Sequence, residues 1–424
     1  MITMTDPATH VAERYERARA RPEAWIELRP QGAVAAELAA TLGRAAAGQE
    51  LPLAGLLVAV KGNIDVAGIA TTAACPAYAY QPAQDATAVA RLRAAGAVVL
   101  GATNLDQFAT GLVGTRSPYG PVRHATDATC ISGGSSSGSA VAVALGVADL
   151  ALGTDTAGSG RVPAAFHGLY GIKPTRGTVS AAGVVPACRS LDVVTVMSAD
   201  LDVAEAALAV MAGPDRRDPL SRAGEAVTLP ARARIGVPLP GRLGDLAPGW
   251  AEAFDAETTR WAASGAEPVP VDITVLLEVA TMLYDGAFVA ERYAAVGAFV
   301  DAHPDDVDPV VGGIIARAKE IPAWRLFQDQ ERLDQAAVVA RELFSRVDAV
   351  LLPTTTEHPT LAAVAAEPIA VNSRLGRFTN FANLLDLAAL AYPAGTVDGL
   401  PFGAQLVAPA FTDHGLAALV RGLP

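Results

Sequence analysis

Short runs of uninterrupted apolar residues alternate along the chain with longer segments whose apolar positions recur at helical spacing. Residues 55–60 and 97–100 are such runs, and they predict buried strands. Between them, residues 85–95 predict a helix with Asp85 as its N-cap and Gly96 after its end. This strand–helix–strand order indicates an α/β fold, in which helices cover the faces of a sheet.

The same two patterns continue to the end of the chain. Further strands are predicted at 150–153, 193–197, 235–237, 348–352 and 402–407, and helices at 11–20, 33–47, 140–145, 250–263, 275–301 and 322–347. No internal repeat or low-complexity linker divides these elements. We therefore expect one large domain over 1–424, with a helical segment at 1–50, a core at 51–200, and the remaining helices and strands at 201–424.

Composition excludes several classes of protein. Apolar residues make up 51% and charged residues 18%, which excludes a disordered chain. The net charge of −12 and the lack of a basic cluster argue against nucleic-acid binding. Apolar runs are shorter than the ~18–20 residues of a membrane span, and no secretory signal is seen, so we expect a cytoplasmic protein. Cys75, Cys130 and Cys188 form no CxxC pair, so no metal or cofactor is predicted.

The most unusual stretch, residues 131–139, contains three glycines and five serines. A flexible linker would have this composition, but the run leads directly into an apolar helix and then a strand, which indicates a rigid loop. A phosphate-binding loop would require a GxxxxGK[ST] pattern, which is absent. The run therefore predicts a structured site.

A second small-residue stretch, residues 153–163, places Ser159 between two glycines. The backbone N–H groups of Thr156, Ala157, Gly158 and Ser159 could point into one cavity, as an oxyanion hole requires. An ordinary turn with capping hydroxyls explains the local sequence equally well.

A serine nucleophile needs a base, and Lys61 is the best candidate. None of the six histidines lies near a GxSxG nucleophile elbow. Lys61 directly follows a buried strand, where desolvation lowers the pKa of an amine toward neutrality. Taken alone, a lysine at such a position is more often exposed or ion-paired.

Together, Lys61 and the stretches 133–139 and 153–159 resemble the signature of the amidase signature family. The resemblance implies one α/β/α domain, whose mixed central sheet is covered by helices on both faces. It implies Ser159 as the nucleophile, Lys61 as the base, and Ser135, after a cis peptide bond from Gly134, as the proton relay. Members of the family often form dimers, so a homodimer is also expected.

Within the family, residues 103–120, 186–192 and 283–293 are similar to allophanate hydrolases. This similarity implies hydrolysis of allophanate (urea-1-carboxylate) through an acyl-enzyme, with release of ammonia, in urea, biuret or triazine nitrogen metabolism. Longer allophanate hydrolases carry a second domain for decarboxylation, which we expect this chain to lack. Residues 167–168 and 287–288 depart from the usual pattern near the expected site.

The same resemblance implies that Tyr284 and Arg292 hold the carboxylate of the substrate. The two residues are eight positions apart, so on the predicted helix 275–301 both would lie near one face. An Arg fork and a phenol can together grip one carboxylate. The alternative is that Arg292 pairs with an acidic neighbour such as Glu291 or Asp285.

Three other functions stay open at this point. The substrate could be another small amide, a biuret-related compound or a carbamate, none of which would need Arg292 if neutral. The family also includes a component of tRNA-dependent amidotransferases, which the acidic charge disfavours. An inactive scaffold is disfavoured because Lys61, Ser135 and Ser159 are all present.

Overall fold

Eleven strands pair into one continuous mixed sheet in the computed structural model of the protein, which describes residues 6–424. The strands are β1 (Trp25–Leu28), β2 (Leu57–Lys61), β3 (Val98–Thr103), β4 (Leu150–Asp155), β5 (Tyr170–Lys173), β6 (Val193–Ser198), β7 (Arg234–Pro238), β8 (Glu267–Val271), β9 (Ala349–Pro353), β10 (Ala388–Val397) and β11 (Leu400–Ala408). Their order across the sheet is β1-β3-β2-β4-β6-β5-β10-β11-β9-β7-β8. The pairs β3–β2, β2–β4, β9–β7 and β7–β8 are parallel, and the other neighbours are antiparallel.

Fifteen α-helices surround this sheet in residues 6–424. They are α1 (Pro7–Arg19), α2 (Gln31–Ala46), α3 (Thr87–Ala94), α4 (Ser137–Ala144), α5 (Arg161–Phe166), α6 (Leu201–Met211), α7 (Trp250–Ala263), α8 (Thr274–Asp285), α9 (Ala290–Ala302), α10 (Pro309–Arg317), α11 (Ala323–Arg346), α12 (Leu361–Ala366), α13 (Ala370–Leu375), α14 (Phe381–Leu384) and α15 (Asp413–Arg421).

Helices pack on both faces of the sheet. Leu57 of β2 lies in an apolar cluster with Val34 of α2, whereas the next residue, Val58, lies in a different cluster with Leu92 of α3. Successive side chains of a strand point to opposite faces, so β2 is covered on both sides. The prediction of one α/β domain with a mixed, doubly covered sheet is confirmed.

The predicted helix 275–301 is wrong, because the structure has two helices there. α8 ends at Asp285, and Gly286 adopts an extended conformation before a 3₁₀ turn, Ala287–Val289, leads into α9. The N–H of Ala287 donates to the carboxylate of Asp329 on α11, at 2.8 Å. A tertiary contact therefore fixes a break that the continuous helical periodicity of the sequence did not reveal.

Two smaller expectations for the first hundred residues also need correction. Asp85 is not the cap of α3, which begins at Thr87, because its carboxylate accepts the N–H of Ala67 and pairs with Arg93. The segment 1–50, predicted to be helical, also contains β1, which pairs antiparallel with β3. Residues 1–5 of that segment lie outside the described residues.

Two further features bear on the class of protein. Across residues 6–424, no helix combines the length and the apolar character that a membrane span requires. The same residues hold no group of three or more His, Cys, Asp or Glu side chains arranged to bind a metal ion.

Candidate active site

The fold brings Lys61, Ser135 and the turn that carries Ser159 to one edge of the sheet. Lys61 is the last residue of β2, and Ser159 follows the end of β4, which pairs in parallel with β2. The carboxyl ends of parallel neighbours meet at the same edge, so their following residues converge. Ser135 lies in the loop before α4, which packs against both strands.

Lys61 and Ser135 are in direct contact. Lys61 Nζ lies 2.8 Å from Ser135 Oγ and 2.7 Å from Thr154 Oγ1. The peptide bond between Gly134 and Ser135 is cis, as the family resemblance implies. The side chains of Lys61 and Ser135 are fully buried, so the protein interior shields the amine from solvent.

Burial makes Lys61 a usable base near neutral pH. Desolvation lowers the pKa of Lys61 to about 7, although the carboxylates of Asp106, Asp192 and Asp155 raise it; the positive charge of Arg292 lowers it further. At pH 7 a substantial fraction of Lys61 is therefore neutral and can accept a proton from Ser135.

Ser159 makes no hydrogen bond with Lys61 or Ser135 in the described residues. Its Oγ donates to the carbonyl of Gly111 at 3.4 Å. The loop around Gly111 also contacts the Ser135 loop, because the Gly134 N–H donates to the Leu112 carbonyl and the Ser135 carbonyl accepts the Asp106 N–H. The same loop therefore contacts Ser159 and the segment that carries Ser135.

The predicted oxyanion hole needs one correction. The N–H of Gly158 donates to Asp155 Oδ1 at 2.8 Å, so this amide is already used inside the protein. Within residues 6–424, no acceptor pairs with the N–H groups of Thr156, Ala157 and Ser159. These three amides remain the candidates for stabilising an oxyanion.

Sequence reasoning missed the buried ion pair that holds the Ser159 turn. Arg161 Nε donates to Asp155 Oδ2 at 3.0 Å, and both side chains are fully buried. The same guanidinium donates to Gln405 Oε1 and to the carbonyl of Thr379, which fixes the turn against β11 and the loop before α14. A signal was present: two opposite charges, six residues apart, in a stretch otherwise made of small and apolar residues.

Asp192 supports the same turn from the other side and was also missed. Its carboxylate accepts from Thr156 Oγ1 at 2.5 Å and from the N–H groups of Ala187 and Cys188. Burial raises the pKa of Asp192, against the effect of these hydrogen bonds. Asp192 therefore connects the backbone beside Ser159 to the loop 186–192.

Tyr284 and Arg292 lie together, although not for the predicted reason. They belong to different helices, α8 and α9, so a shared helix face does not explain their contact. Arg292 Nη2 donates to Tyr284 Oη at 3.1 Å, and the Arg292 Cζ lies 5.1 Å from the centroid of the Tyr284 ring. Arg292 Nη1 donates to Thr110 Oγ1 at 2.9 Å, one residue before Gly111, which accepts from Ser159.

Arg292 carries a buried positive charge that has no carboxylate partner among residues 6–424. Its side chain is buried, and its Nε has no hydrogen-bond partner. The alternative pairing with Glu291 does not occur, because the Glu291 carboxylate accepts from the backbone and side chain of Ser190. A buried, unpaired guanidinium is costly, and an anionic ligand would offset part of that cost.

Comparison with known proteins identifies the family and relatives of this chain. The family model described as Amidase matches residues 8–417. Urea amidolyase of Saccharomyces cerevisiae is 46% identical over 385 residues, which are 88% of this chain and 21% of that protein. The urea amidolyase of Lachancea kluyveri is also 46% identical, over the same shares of the two chains.

Solved structures show the same fold. Allophanate hydrolase of Kluyveromyces lactis superposes with a TM-score of 0.91 and 42% identity, over 99% of this chain and 70% of that one. The chain spans 21% of the length of the urea amidolyases that it matches. Because the family model matches nearly all of its residues, the chain belongs to the amidase family, which its sequence motifs predicted.

Proposed function

We propose that this chain hydrolyses allophanate and releases ammonia. The choice of substrate rests on Arg292, a buried guanidinium that has no carboxylate partner in residues 6–424. Arg292 donates to Tyr284 and to Thr110, and the residue after Thr110, Gly111, accepts from Ser159. Allophanate has an amide at one end and a carboxylate at the other, so it can meet Ser159 and Arg292 together. Relatives named urea amidolyase and allophanate hydrolase support this choice.

In the proposed reaction, neutral Lys61 takes the proton of Ser135 while Ser135 takes that of Ser159. Ser159 Oγ attacks the amide carbon of allophanate, and the negative charge on the carbonyl oxygen is met by the N–H groups of Thr156, Ala157 and Ser159. The returning proton leaves with ammonia, and an acyl-enzyme remains. Water, activated by the same relay, releases N-carboxycarbamate, which then loses carbon dioxide.

Ammonia release by the purified protein tests this proposal. Allophanate and biuret form a matched pair, because biuret carries a neutral amide where allophanate carries its carboxylate. We expect a higher kcat/KM for allophanate, and no ammonia from either compound with the Ser159→Ala variant. If biuret or another neutral amide is hydrolysed with the higher kcat/KM, the proposed substrate is wrong.

The assembly is proposed separately from the chemistry. Homodimer formation, expected from the family, is checked by analytical ultracentrifugation of the full chain. A single species of monomer mass across micromolar concentrations would contradict it.

A further inference from the structure

The catalytic groups are enclosed, so a substrate needs a route to them. Lys61 and Ser135 are fully buried, and Ser159 is only 3% exposed. Allophanate must therefore cross the protein surface at a defined place before it reaches Ser159.

A cavity of about 180 Å³ lies beside Tyr284. Its wall includes Tyr284, whose hydroxyl accepts from Arg292. It also includes Asn372, whose Oδ1 accepts the N–H of Leu112 at 2.7 Å. Leu112 follows Gly111, the acceptor of Ser159 Oγ. Tyr284 thus connects this cavity to Arg292 by one hydrogen bond, and Asn372 connects it to the loop that contacts Ser159.

The neighbouring cavity, about 360 Å³, shares Tyr284, Asp285 and Ser373 with the first. The two cavities therefore meet around Tyr284 and form one approach to the same point.

Three arginines line these two cavities, and one of them makes no hydrogen bond or ion pair through its side chain within residues 6–424. Arg374 is paired with Glu357 and Glu367, and Arg377 donates to the carbonyl of Leu243. Arg317, the last residue of α10, is exposed and lines the first cavity. No hydrogen bond or ion pair connects its guanidinium to any of residues 6–424.

We propose that the cavity beside Tyr284 is the path of the substrate and that Arg317 attracts the substrate's carboxylate into it. This inference rests on the proposed function, since only an anionic substrate needs the attraction. The chain carries a net charge of −12, which repels an anion at long range, and Asp285 adds a negative charge on the cavity wall. A free guanidinium at this place offsets that repulsion locally and passes the carboxylate inward to Arg292.

The matched comparison is Arg317→Gln against Arg341→Gln. Arg341 is also exposed, but it lines a separate groove on α11 that contains none of the residues of the Tyr284 cavity. We expect Arg317→Gln to lower kcat/KM for allophanate by about three- to tenfold at low ionic strength. The loss should appear in KM and not in kcat, because the charge acts equally on bound substrate and transition state.

Two further measurements separate an electrostatic effect of Arg317 from other effects: the dependence of kcat/KM on ionic strength, and the comparison of charged with neutral substrate. The Debye length falls from about 30 Å at 0.01 M salt to about 8 Å at 0.15 M, so the difference between wild type and Arg317→Gln should shrink with added salt. Biuret should be affected by neither variant. Arg341→Gln should match wild type with both substrates.

A second variant tests the path itself. Ile314 lines the same cavity, and Ile314→Trp should lower kcat/KM for charged and neutral amides alike, with thermal melting used to confirm the fold. An unchanged KM for allophanate in Arg317→Gln would overturn the inference. A lowered melting temperature in the same variant would then show that Arg317 only stabilises the C-terminal end of α10. Normal turnover by Ile314→Trp would overturn the path. If wild type prefers biuret, the proposed substrate fails, whereas the Ile314→Trp result still decides the path.

Discussion

At the scale of single residues, Lys61 decides how the proposed site works, because its burial sets the charge of the base. Its amine contacts only Ser135 Oγ and Thr154 Oγ1 and has no carboxylate within hydrogen-bond distance in the described residues. Desolvation consequently outweighs the attraction of the nearby aspartates and brings the pKa of Lys61 down to about 7.

The pH dependence of turnover should report this lysine. Below pH 7 Lys61 is protonated and cannot accept a proton, so kcat/KM for allophanate should rise with pH through about 7 and then level off. Lys61→Ala should lower kcat by about 10²–10⁴-fold. Lys173→Met removes another buried lysine and is the control, which should retain the acid limb. A flat profile between pH 5.5 and 8.5 in wild type would exclude Lys61 as the base.

Arg292 should act mainly on specificity, with a smaller effect shared by all substrates because its charge helps to lower the pKa of Lys61. A buried charge-assisted hydrogen bond contributes about 1.5–3 kcal/mol, which corresponds to a loss of about 10- to 150-fold in kcat/KM for allophanate on Arg292→Ala. Biuret, which lacks the carboxylate, should lose much less. Arg292→Lys keeps the charge without the fork and should fall between. Equal losses for allophanate and biuret would assign Arg292 a structural role.

The sequence proposed the candidate reactive residues but could not show what surrounds them. Lys61, Ser135 and Ser159 stand in motifs whose spacing is visible in the chain, so a family resemblance could name them. The use of the Gly158 N–H by Asp155 could not be foreseen, because it depends on how the Asp155 side chain turns back once Arg161 holds it. A sequence motif indicates which residues can react, whereas three-dimensional packing determines which backbone N–H groups remain available to a substrate.

At the scale of elements, the strands that periodicity missed are those with mixed or interrupted patterns. β10 contains Pro393 and Gly395, where its register with β11 shifts, and β8 contains two prolines at an edge of the sheet. β5 has only four residues, too few to show a period. Pairing with neighbours stabilises these strands, and that information is not local to their sequence.

The turn between β4 and α5 should be the element least tolerant of change. Gly158 has φ +122°, and a Cβ there would lie 2.6 Å from Thr379 Cβ. Gly158→Ala must therefore shift the turn that carries Ser159, and we expect kcat to fall by about 10²-fold or more, since small misplacements at a nucleophile have large effects. Gly120→Ala is the matched control, because Gly120 has φ +96° with nothing within 4 Å. Near-native kcat in Gly158→Ala would show that the turn adapts.

At the scale of the whole molecule, the sheet order shows why the two halves of the chain form one unit. Strands from residues 25–198 fill one side of the sheet and strands from 234–408 the other, and β5 pairs with β10 where they meet. The proposed catalytic residues come from the first half, whereas Tyr284 and Arg292 come from the second. The α/β class could be predicted from local patterns, but this long-range order could not. Family membership confirms the predicted enzyme class, an amide hydrolase.

A buried histidine cluster connects distant parts of the same molecule. The ring of His124 stacks on that of His167, with centroids 4.4 Å apart, and meets that of His358 edge-on at 5.0 Å. His358 also stacks on Phe166 at 3.9 Å. Burial lowers the pKa of all three histidines, to about 4 for His358, and repulsion from a neighbouring ring, when that ring is protonated, lowers those of His167 and His358 further. The fold therefore holds the three rings neutral at pH 7.

This cluster should make the protein sensitive to mild acid. Below the unfolded pKa of about 6.5, the unfolded chain binds protons at these positions and the folded chain does not, so stability must fall as pH decreases. Between its folded pKa of about 4 and its unfolded pKa of about 6.5, His358 contributes up to about 1.4 kcal/mol per pH unit, and His124 and His167 act in the same direction. Urea unfolding at pH 7, 6 and 5 measures the slope, which His358→Gln should reduce by up to about 1.4 kcal/mol per pH unit. His414→Gln, at an exposed histidine, is the control. Equal slopes in wild type and His358→Gln would mean that His358 binds its proton equally in both states, and the cluster would then not account for acid sensitivity.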